Sequence, residues 1–394
     1  PLPDNTDKVV AWETVNLDDP PHLRWAHIVG PRADGIKKLT DTIVDTLQTL
    51  LGKDTVAKLL STIDKTLPSY YKHLPMPEFG REMSGIANAT GIDESVIFIY
   101  NIFYSLFGAC TSIVAQDDKG ELYHARNLDF GLWPALNLTH HNFWALTARL
   151  RPLVVNVEMT KGGKALYRQT TFAGFIGAHT AVRATGSGSG SNAGGFTLTI
   201  DSRFDNNFDS GILAWLLKDA LPTGKDDASE GTMVARKVIE EASDFTSALK
   251  TINTTQVLGP AYIIMGGSKP GEGAVITKGS SADGHPFKDE GLTIDYWPMS
   301  QELKRKPARS FMVETNYDRT GKPPSFDDRR NPAIDCMENH LGGPSGYNFE
   351  GLYNVLSATP NLNRLTTYTT MMHAGSGKLE AYRQLCDKLK CPLV

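Results

Sequence analysis

The sequence predicts an α+β protein in which antiparallel sheets are layered against helices, and three observations carry that reading. Apolar residues recur at helical spacing through most of residues 1–109. After Cys110 the texture changes to short alternating or β-branched runs. Helical patterns then fall in blocks between those runs, without the strict alternation that a parallel βαβ fold requires. At 394 residues the chain is long enough for one large or two medium domains.

In order along the chain, residues 1–35 read as irregular, punctuated by Asp19-Pro20-Pro21 and Gly30-Pro31. Ile36, Leu39, Ile43, Leu47, Leu50 and Leu51, then Val56, Leu59, Leu60 and Ile63, predict two amphipathic helices broken near Gly52-Lys53. A short polar helix over 78–90 and a strongly apolar one over 93–107 come next. Strands are expected at 111–115, 122–126, 143–150, 154–158, 166–172, 196–200, 262–265 and 274–277. Helices are expected at 211–220, 230–242, 245–251 and 349–358. Gly188, Gly190 and Ala193 in the Gly/Ser-rich stretch 186–195 match a GxGxxA spacing. They lead into the strand Phe196-Thr197-Leu198-Thr199-Ile200, not into the helix that would hold a pyrophosphate, so the stretch reads as a flexible hairpin loop.

Composition narrows the function classes. The chain is 40% hydrophobic and 21% charged, as globular proteins are, and a net charge of −4 offers no nucleic-acid footprint. The longest apolar run, 96–110, is interrupted by Asn101 and Ser105 and falls short of the ~18 residues of a membrane span. It reads as a buried or interfacial helix. The chain opens Pro1-Leu2-Pro3-Asp4, as expected where a leader was removed or never included. Sequons at Asn88, Asn137 and Asn253, with only four cysteines, point to a secreted or lysosomal protein. Cys386 and Cys391 are close enough to close a small loop; the alternative is two free surface thiols. No CxxC or flanking His pair accompanies them, so no metal and no cofactor are expected. Cys336 is either buried and inert or paired with a residue upstream of Pro1.

The densest signal is CTSIVAQDDKGELYHARNLDF, 110–130. A cysteine heads an apolar strand, the turn Asp117-Asp118-Lys119-Gly120 reverses the chain, and a second strand returns Arg126 and Asp129 toward it. A cysteine that attacks an amide must become a thiolate and needs donors aimed at the oxyanion, each worth ~3–4 kcal/mol. The ten histidines show no Cys-His-Asn pattern. An N-terminal nucleophile avoids that need: cleavage of the Ala109–Cys110 bond frees an α-amine with an ordinary pKa of ~7.7–8.0 beside its own sulfur.

This hairpin resembles the nucleophile hairpin of the family that contains acid ceramidase and N-acylethanolamine acid amidase, both N-terminal-nucleophile hydrolases. The likeness extends to VNLDDPPHLRW near the start, NIFYSLFGAC before the cut, TTFAGFIG, LGPAYIIMGGSKPGEGAVIT, VETNYDRTGKPPSFDDRRNPA and LTTYTTMM near the end. It implies an αββα four-layer sandwich, with a mainly helical part (1–109) cleaved before Cys110 from a catalytic part (110–394). It implies that Cys110 is the nucleophile, that Asp129 bonds its α-ammonium, and that Arg126 favours the thiolate. Asn316 would donate to the oxyanion and Arg329 would complete the charged shell, although Asp327 to Arg330 taken alone reads as a solvated salt-bridge run. The family carries an acidic residue before the arginine of its ERF-like segment; here Ser202 stands in that place, within Asp201-Ser202-Arg203-Phe204.

The activity implied is hydrolysis of a ceramide amide to sphingosine and fatty acid in the lysosome, with fatty acid ethanolamides as the alternative substrate. Phe130-Gly131, Gly211 to Trp215, the Cys386/Cys391 pair and Cys336 resemble the ceramidase branch, whose cysteines at those sites form disulfides. The Cys386/Cys391 spacing is one residue longer here, and the upstream mate of Cys336 is missing. Partners implied are an N-acyl lipid, a peripheral membrane surface, a saposin-type activator and the other half of an α/β heterodimer. Phe98, Ile99, Ile102, Phe103, Leu106 and Phe107 form a stripe that could line a lipid path, but core packing is the simpler account of it.

Overall fold

The computed structural model describes residues 9–102, 108–130, 143–187, 194–204, 229–279 and 292–384. Strand β1 (Trp12–Asn16) comes first and is followed by helices at Ala33–Leu51, Lys53–Tyr70, Glu78–Thr90 and Glu94–Ile102. The central hairpin pairs β2 (Gly108–Gln116) with β3 (Leu122–Phe130). Its turn is closed by the Asp117 carboxylate, which accepts from the amides of Lys119 at 2.9 Å and Glu121 at 2.8 Å, and by Gly120, whose φ of 85° favours glycine. Then come β4 (Val154–Lys161), β5 (Lys164–Phe172), β6 (Thr180–Arg183) and β7 (Phe196–Ser202). Two short strands, β8 (Ser229–Glu230) and β9 (Val257–Leu258), flank helices Gly231–Glu241 and Phe245–Thr254. The rest are β10 (Ala261–Gly267), β11 (Gly273–Gly279), β12 (Leu292–Pro298), β13 (Phe311–Glu314), β14 (Thr366–His373) and β15 (Lys378–Arg383).

These strands make two large sheets. One runs β1-β4-β5-β6-β7-β10-β11-β12, the other β13-β2-β3-β14-β15. All neighbours in them are antiparallel except β1 and β4. Helices Gly231–Glu241 and Phe245–Thr254 pack on the larger sheet. Helix Phe349–Ser357 covers the outer face of the smaller one, where Leu352, Val355 and Leu356 meet Ile113, Ala125 and Met371. The expected αββα sandwich is therefore the observed one. Between the sheets lies an apolar cluster that includes Val114, Leu122, Tyr262, Ile264 and Met312. Beside it is a polar layer in which His124, Ser112 and Arg126 face Thr197, Thr199 and Asp201.

The two amphipathic helices break at Gly52 as expected, and its φ of 85° shows why the chain turns there. Several expectations need correction. Residues 12–16, read as irregular, form β1 and pair with Asn156 to Thr160 of β4. Residues 143–150, read as a strand, form a helix: Leu146, Thr147 and Leu150 are buried while Ala148 and Arg149 are exposed, a helical spacing that a short apolar run conceals. Ile97, Phe98, Ile99, Tyr100 and Ile102 are all buried in the main core, so that part of the apolar stripe is packing. The helix expected at 211–220, most of the 186–195 stretch, Phe103 to Phe107, Asn137, Cys386 and Cys391 lie outside the described residues. No described helix is long and apolar enough to cross a membrane. Asn88 is exposed and Asn253 half-buried. Cys336 is half-buried and carries a free thiol.

Candidate active site

Strand alternation decides which side chains meet here. On β2, Cys110 and Ser112 point between the sheets, as do His124 and Arg126 on β3. Asp129 points to the opposite face of the same sheet, toward Arg329 and Asn363. Cys110 is completely buried, and each of its polar atoms is held by a different side chain. Arg126 Nη2 donates to its Sγ at 2.5 Å. Its backbone amide donates to Asn316 Oδ1 at 2.8 Å, and its carbonyl accepts from Arg329 Nη1 at 2.6 Å.

Both arginines are buried, so their charges need built partners. Arg126 donates to the carbonyls of His179 at 2.8 Å and Ile200 at 3.2 Å and to Thr180 Oγ1 at 3.0 Å, and it lies 3.5 Å from Asp201. A guanidinium so fixed favours negative charge on the neighbouring sulfur. Arg329 forks onto Asp327 at 2.7 and 3.0 Å and reaches Asn316 Oδ1 at 2.7 Å and Asp129 Oδ2 at 3.3 Å. Burial opposes its charge, but Asp327 and Asp129 outweigh that and hold it above the usual arginine range. Asp327, Arg329 and Arg330 are buried, unlike the solvated run that the segment alone suggests.

The five residues singled out in the sequence are thus brought together. Two sit differently from their expected roles. Asn316 Nδ2 donates to the Ser202 carbonyl at 2.6 Å, so in this uncut chain it orients the Cys110 amide instead of facing an oxyanion. Asp129 bonds Arg329 and Asn363, while its Oδ1 is buried without a hydrogen-bond partner. In the strand register Asp129 stands opposite Ala109, beside the bond expected to be cut. Burial raises its pKa and Arg329 opposes the rise.

Asp201 is the residue that the sequence motifs pass over, because the family's acidic position falls on Ser202. It is fully buried and accepts from Ser112 Oγ at 2.9 Å, and burial pushes its carboxyl up to about 7 against the pull of Arg126. The available signal is the alternation of Thr197, Thr199 and Asp201 with Phe196, Leu198 and Ile200: a strand buried throughout whose polar face must meet a polar layer. His124 contacts Thr197 and Thr199 at 2.8 and 3.0 Å, and burial with Arg126 pushes its pKa down to about 3, which keeps it neutral. Among the described residues no cluster of His, Cys, Asp and Glu is arranged to hold a metal.

A two-sheet sandwich with a buried cysteine near the head of its central hairpin is built as an N-terminal-nucleophile amidohydrolase, and the chain falls in that class. Residues 8–70 match the family described as the beta subunit of N-acylethanolamine-hydrolyzing acid amidase. Residues 110–281 match the linear amide C–N hydrolases of the choloylglycine hydrolase family. The chain is 36% identical over 378 residues to acid ceramidase from Mus musculus and, over the same length, to that from Homo sapiens; both comparisons cover 96% of this chain and 87% of the relative. Among solved structures, a Caenorhabditis elegans N-acylethanolamine-hydrolyzing acid amidase ortholog matches with a TM-score of 0.50 at 25% identity, over 70% of this chain and 100% of that one. The chain belongs to the acid ceramidase family.

Proposed function

We propose that the chain is cut between Ala109 and Cys110 and that the exposed Cys110 then hydrolyses the N-acyl amide of ceramide to sphingosine and a free fatty acid. The observation that carries this reading is the threefold hold on Cys110: Arg126 on sulfur, Asn316 on nitrogen, Arg329 on the carbonyl. Identity of 36% across nearly the whole chain to acid ceramidases supports the substrate class. In the mature form Sγ attacks the acyl carbon, the leaving amine takes its proton from the Cys110 α-ammonium, and a thioester forms. Water then attacks the thioester, giving its proton to the α-amine and releasing the fatty acid. The orphaned Asp129 Oδ1, opposite Ala109, is the acceptor for the new ammonium. Oxyanion donation by Asn316 requires its Nδ2 to leave the Ser202 carbonyl, and the cut supplies the occasion by changing what Asn316 Oδ1 binds.

Residues 1–109 and 110–394 would stay together as a heterodimer. In support of this, β1 is zipped to β4 and the Val10 amide donates to the Ala381 carbonyl at 3.2 Å. A lysosomal or secreted location, glycosylation at Asn88, Asn137 and Asn253, a disulfide between Cys386 and Cys391, and work at a membrane surface with a saposin-type activator complete the proposal. The amidase-type matches favour a second reading, hydrolysis of fatty acid ethanolamides. Side-by-side hydrolysis of a C12 ceramide and palmitoylethanolamide at acidic pH separates the two. The ceramide reading expects the ceramide to be cut faster and fails if only the ethanolamide is turned over. Mass spectrometry of the active protein should show a fragment that begins with Cys110.

A further inference from the structure

The proposed self-cleavage contains a chemical gap that the mature enzyme does not have. Before the cut, the Cys110 nitrogen is an amide whose hydrogen is given to Asn316, so it cannot accept a proton. The thiol proton must go to another group. Arg126, 2.5 Å from the sulfur, is a cation and cannot take it. Asp129 is directed to the far face of the sheet, where Arg329 and Asn363 occupy its Oδ2. His124 is turned to Thr197 and Thr199.

Asp201 is the carboxylate that shares the sulfur's space. Its strand, β7, faces the hairpin across the sandwich, and Thr199 and Asp201 both reach Ser112, two residues beyond Cys110. Arg126 Nη2, the atom that holds the sulfur, also lies 3.5 Å from Asp201 Oδ1, so one nitrogen bridges thiol and carboxylate. The thiol also meets the Ile200 carbonyl at 3.9 Å, an acceptor that cannot keep a proton. Asp201 Oδ2 is buried with no hydrogen-bond partner, an open acceptor on the carboxylate that Ser112 already engages through Oδ1. The position does not simply stand in for the family's acidic residue at 202. Alternation sends the side chain of 202 to the other face of β7, where Ser202 Oγ also lacks a partner.

We propose that Asp201 is the proton acceptor for the Cys110 thiol in self-cleavage, a role that rests on the reading of a cut at Ala109–Cys110. The S–H proton passes to the Asp201 carboxylate, and the thiolate, held by Arg126, attacks the Ala109 carbonyl carbon. The S–C bond forms, the C–N bond to Cys110 breaks, and the nitrogen takes the proton back from the Asp201 carboxyl. Water hydrolyses the thioester, leaving a carboxylate on Ala109 and the thiol on Cys110. Arg126, Arg329, Glu314 and Tyr368 are the other charged or titratable groups that sense this carboxylate. Its raised proton affinity brings it closer to a thiol than an ordinary carboxylate is.

The test tracks the appearance of the two fragments in freshly purified full-length chain, comparing two isosteric pairs: Asp201 with Asp201→Asn, and Asp201→Glu with Asp201→Gln. In each pair the acid should be cut at least ~100-fold faster than its amide, the usual scale of general-base loss. Hydroxylamine, which intercepts a thioester, should not restore the amide variants because they fail before the thioester forms. Equal cleavage within a folded pair, or rescue of Asp201→Asn by hydroxylamine, overturns the assignment. Failure of the parent chain itself to yield a fragment starting at Cys110 would instead sink the reading beneath it.

Discussion

Glu82 and Asp201 are both fully buried carboxylates facing buried arginines, yet their surroundings are opposite in kind. Glu82 receives four donors: Trp25 Nε1 at 2.7 Å, Arg24 Nη1 at 2.8 Å, and Arg236 through Nη1 at 2.5 Å and Nη2 at 2.8 Å. Burial pushes its pKa up, but Arg236, Trp25 and Arg24 outweigh burial and hold it below the usual range. Asp201 has one hydroxyl, the neighbouring Cys110 thiol and a more distant guanidinium, an open oxygen, and a carboxyl pushed up to about 7. The first cluster is saturated and joins the N-terminal helices to helix Gly231–Glu241. The second is undersupplied beside the proposed nucleophile. A saturated carboxylate holds elements together at little cost, whereas an unpaired buried acceptor carries a desolvation penalty, and a raised carboxyl beside a cysteine and an arginine is the environment that acid–base chemistry uses.

The broadest break of this comparison is at the sulfur. Cys110→Ala should leave one uncut chain with no measurable hydrolysis of either amide, read by mass spectrometry and product release, while its folding is unchanged. A Cys110→Ala chain still split between residues 109 and 110 would show that the cut is made by another agent. At the saturated cluster the expected effect is on stability instead. Glu82→Ala leaves Arg236 and Arg24 without their shared carboxylate and should cost about 3–5 kcal/mol in urea unfolding. Measured in the uncut Cys110→Ala background, a loss under ~1 kcal/mol would mean that Glu240 and Glu78 carry the arginines by themselves.

Arg126→Lys sharpens the comparison at the site. One ammonium cannot serve the sulfur, two carbonyls and Thr180 together, as the planar guanidinium does. Turnover by the mature enzyme should fall by about 10²-fold with a smaller change in KM, because the contact serves the charge on sulfur, not substrate binding. An equal effect on KM alone would assign Arg126 to the pocket.

How far the sequence could supply this picture depends on the range of each signal. The hairpin from Gly108 to Phe130 is readable because alternation, a turn and a second strand are all local. Helices 33–51 and 53–70 are readable for the same reason. Asn316 and Arg329 reach Cys110 from more than two hundred residues away, and only the family resemblance points to them. Strand β1 is short and has only β4 beside it, so nothing within its own residues announces a strand. Asp201 is legible in principle from the polar face of β7, but a polar face names a layer and not the atom it meets.

The smallest effect is also the one that separates the two carboxylates most cleanly, because their pH dependences have opposite sign. Glu82 is depressed on folding, so its contribution is present above the ordinary glutamate value and is lost only as pH falls through the lower folded value. It is flat near neutrality. Asp201 is raised, so its contribution is complete below its ordinary 3.8 and is lost as pH rises through about 7. Between pH 6 and pH 8 that loss is about 1 kcal/mol. In the Cys110→Ala background, stability relative to an added Asp201→Asn change should therefore decline over this interval, whereas the same comparison with Glu82→Gln should not. A flat difference for Asp201 between pH 6 and pH 8, with its decline confined to lower pH, would mean that its carboxylate is already ionised below pH 6. The sulfur's proton would then have a much weaker acceptor than the buried geometry implies, and the contrast between the two clusters would shrink to one of packing.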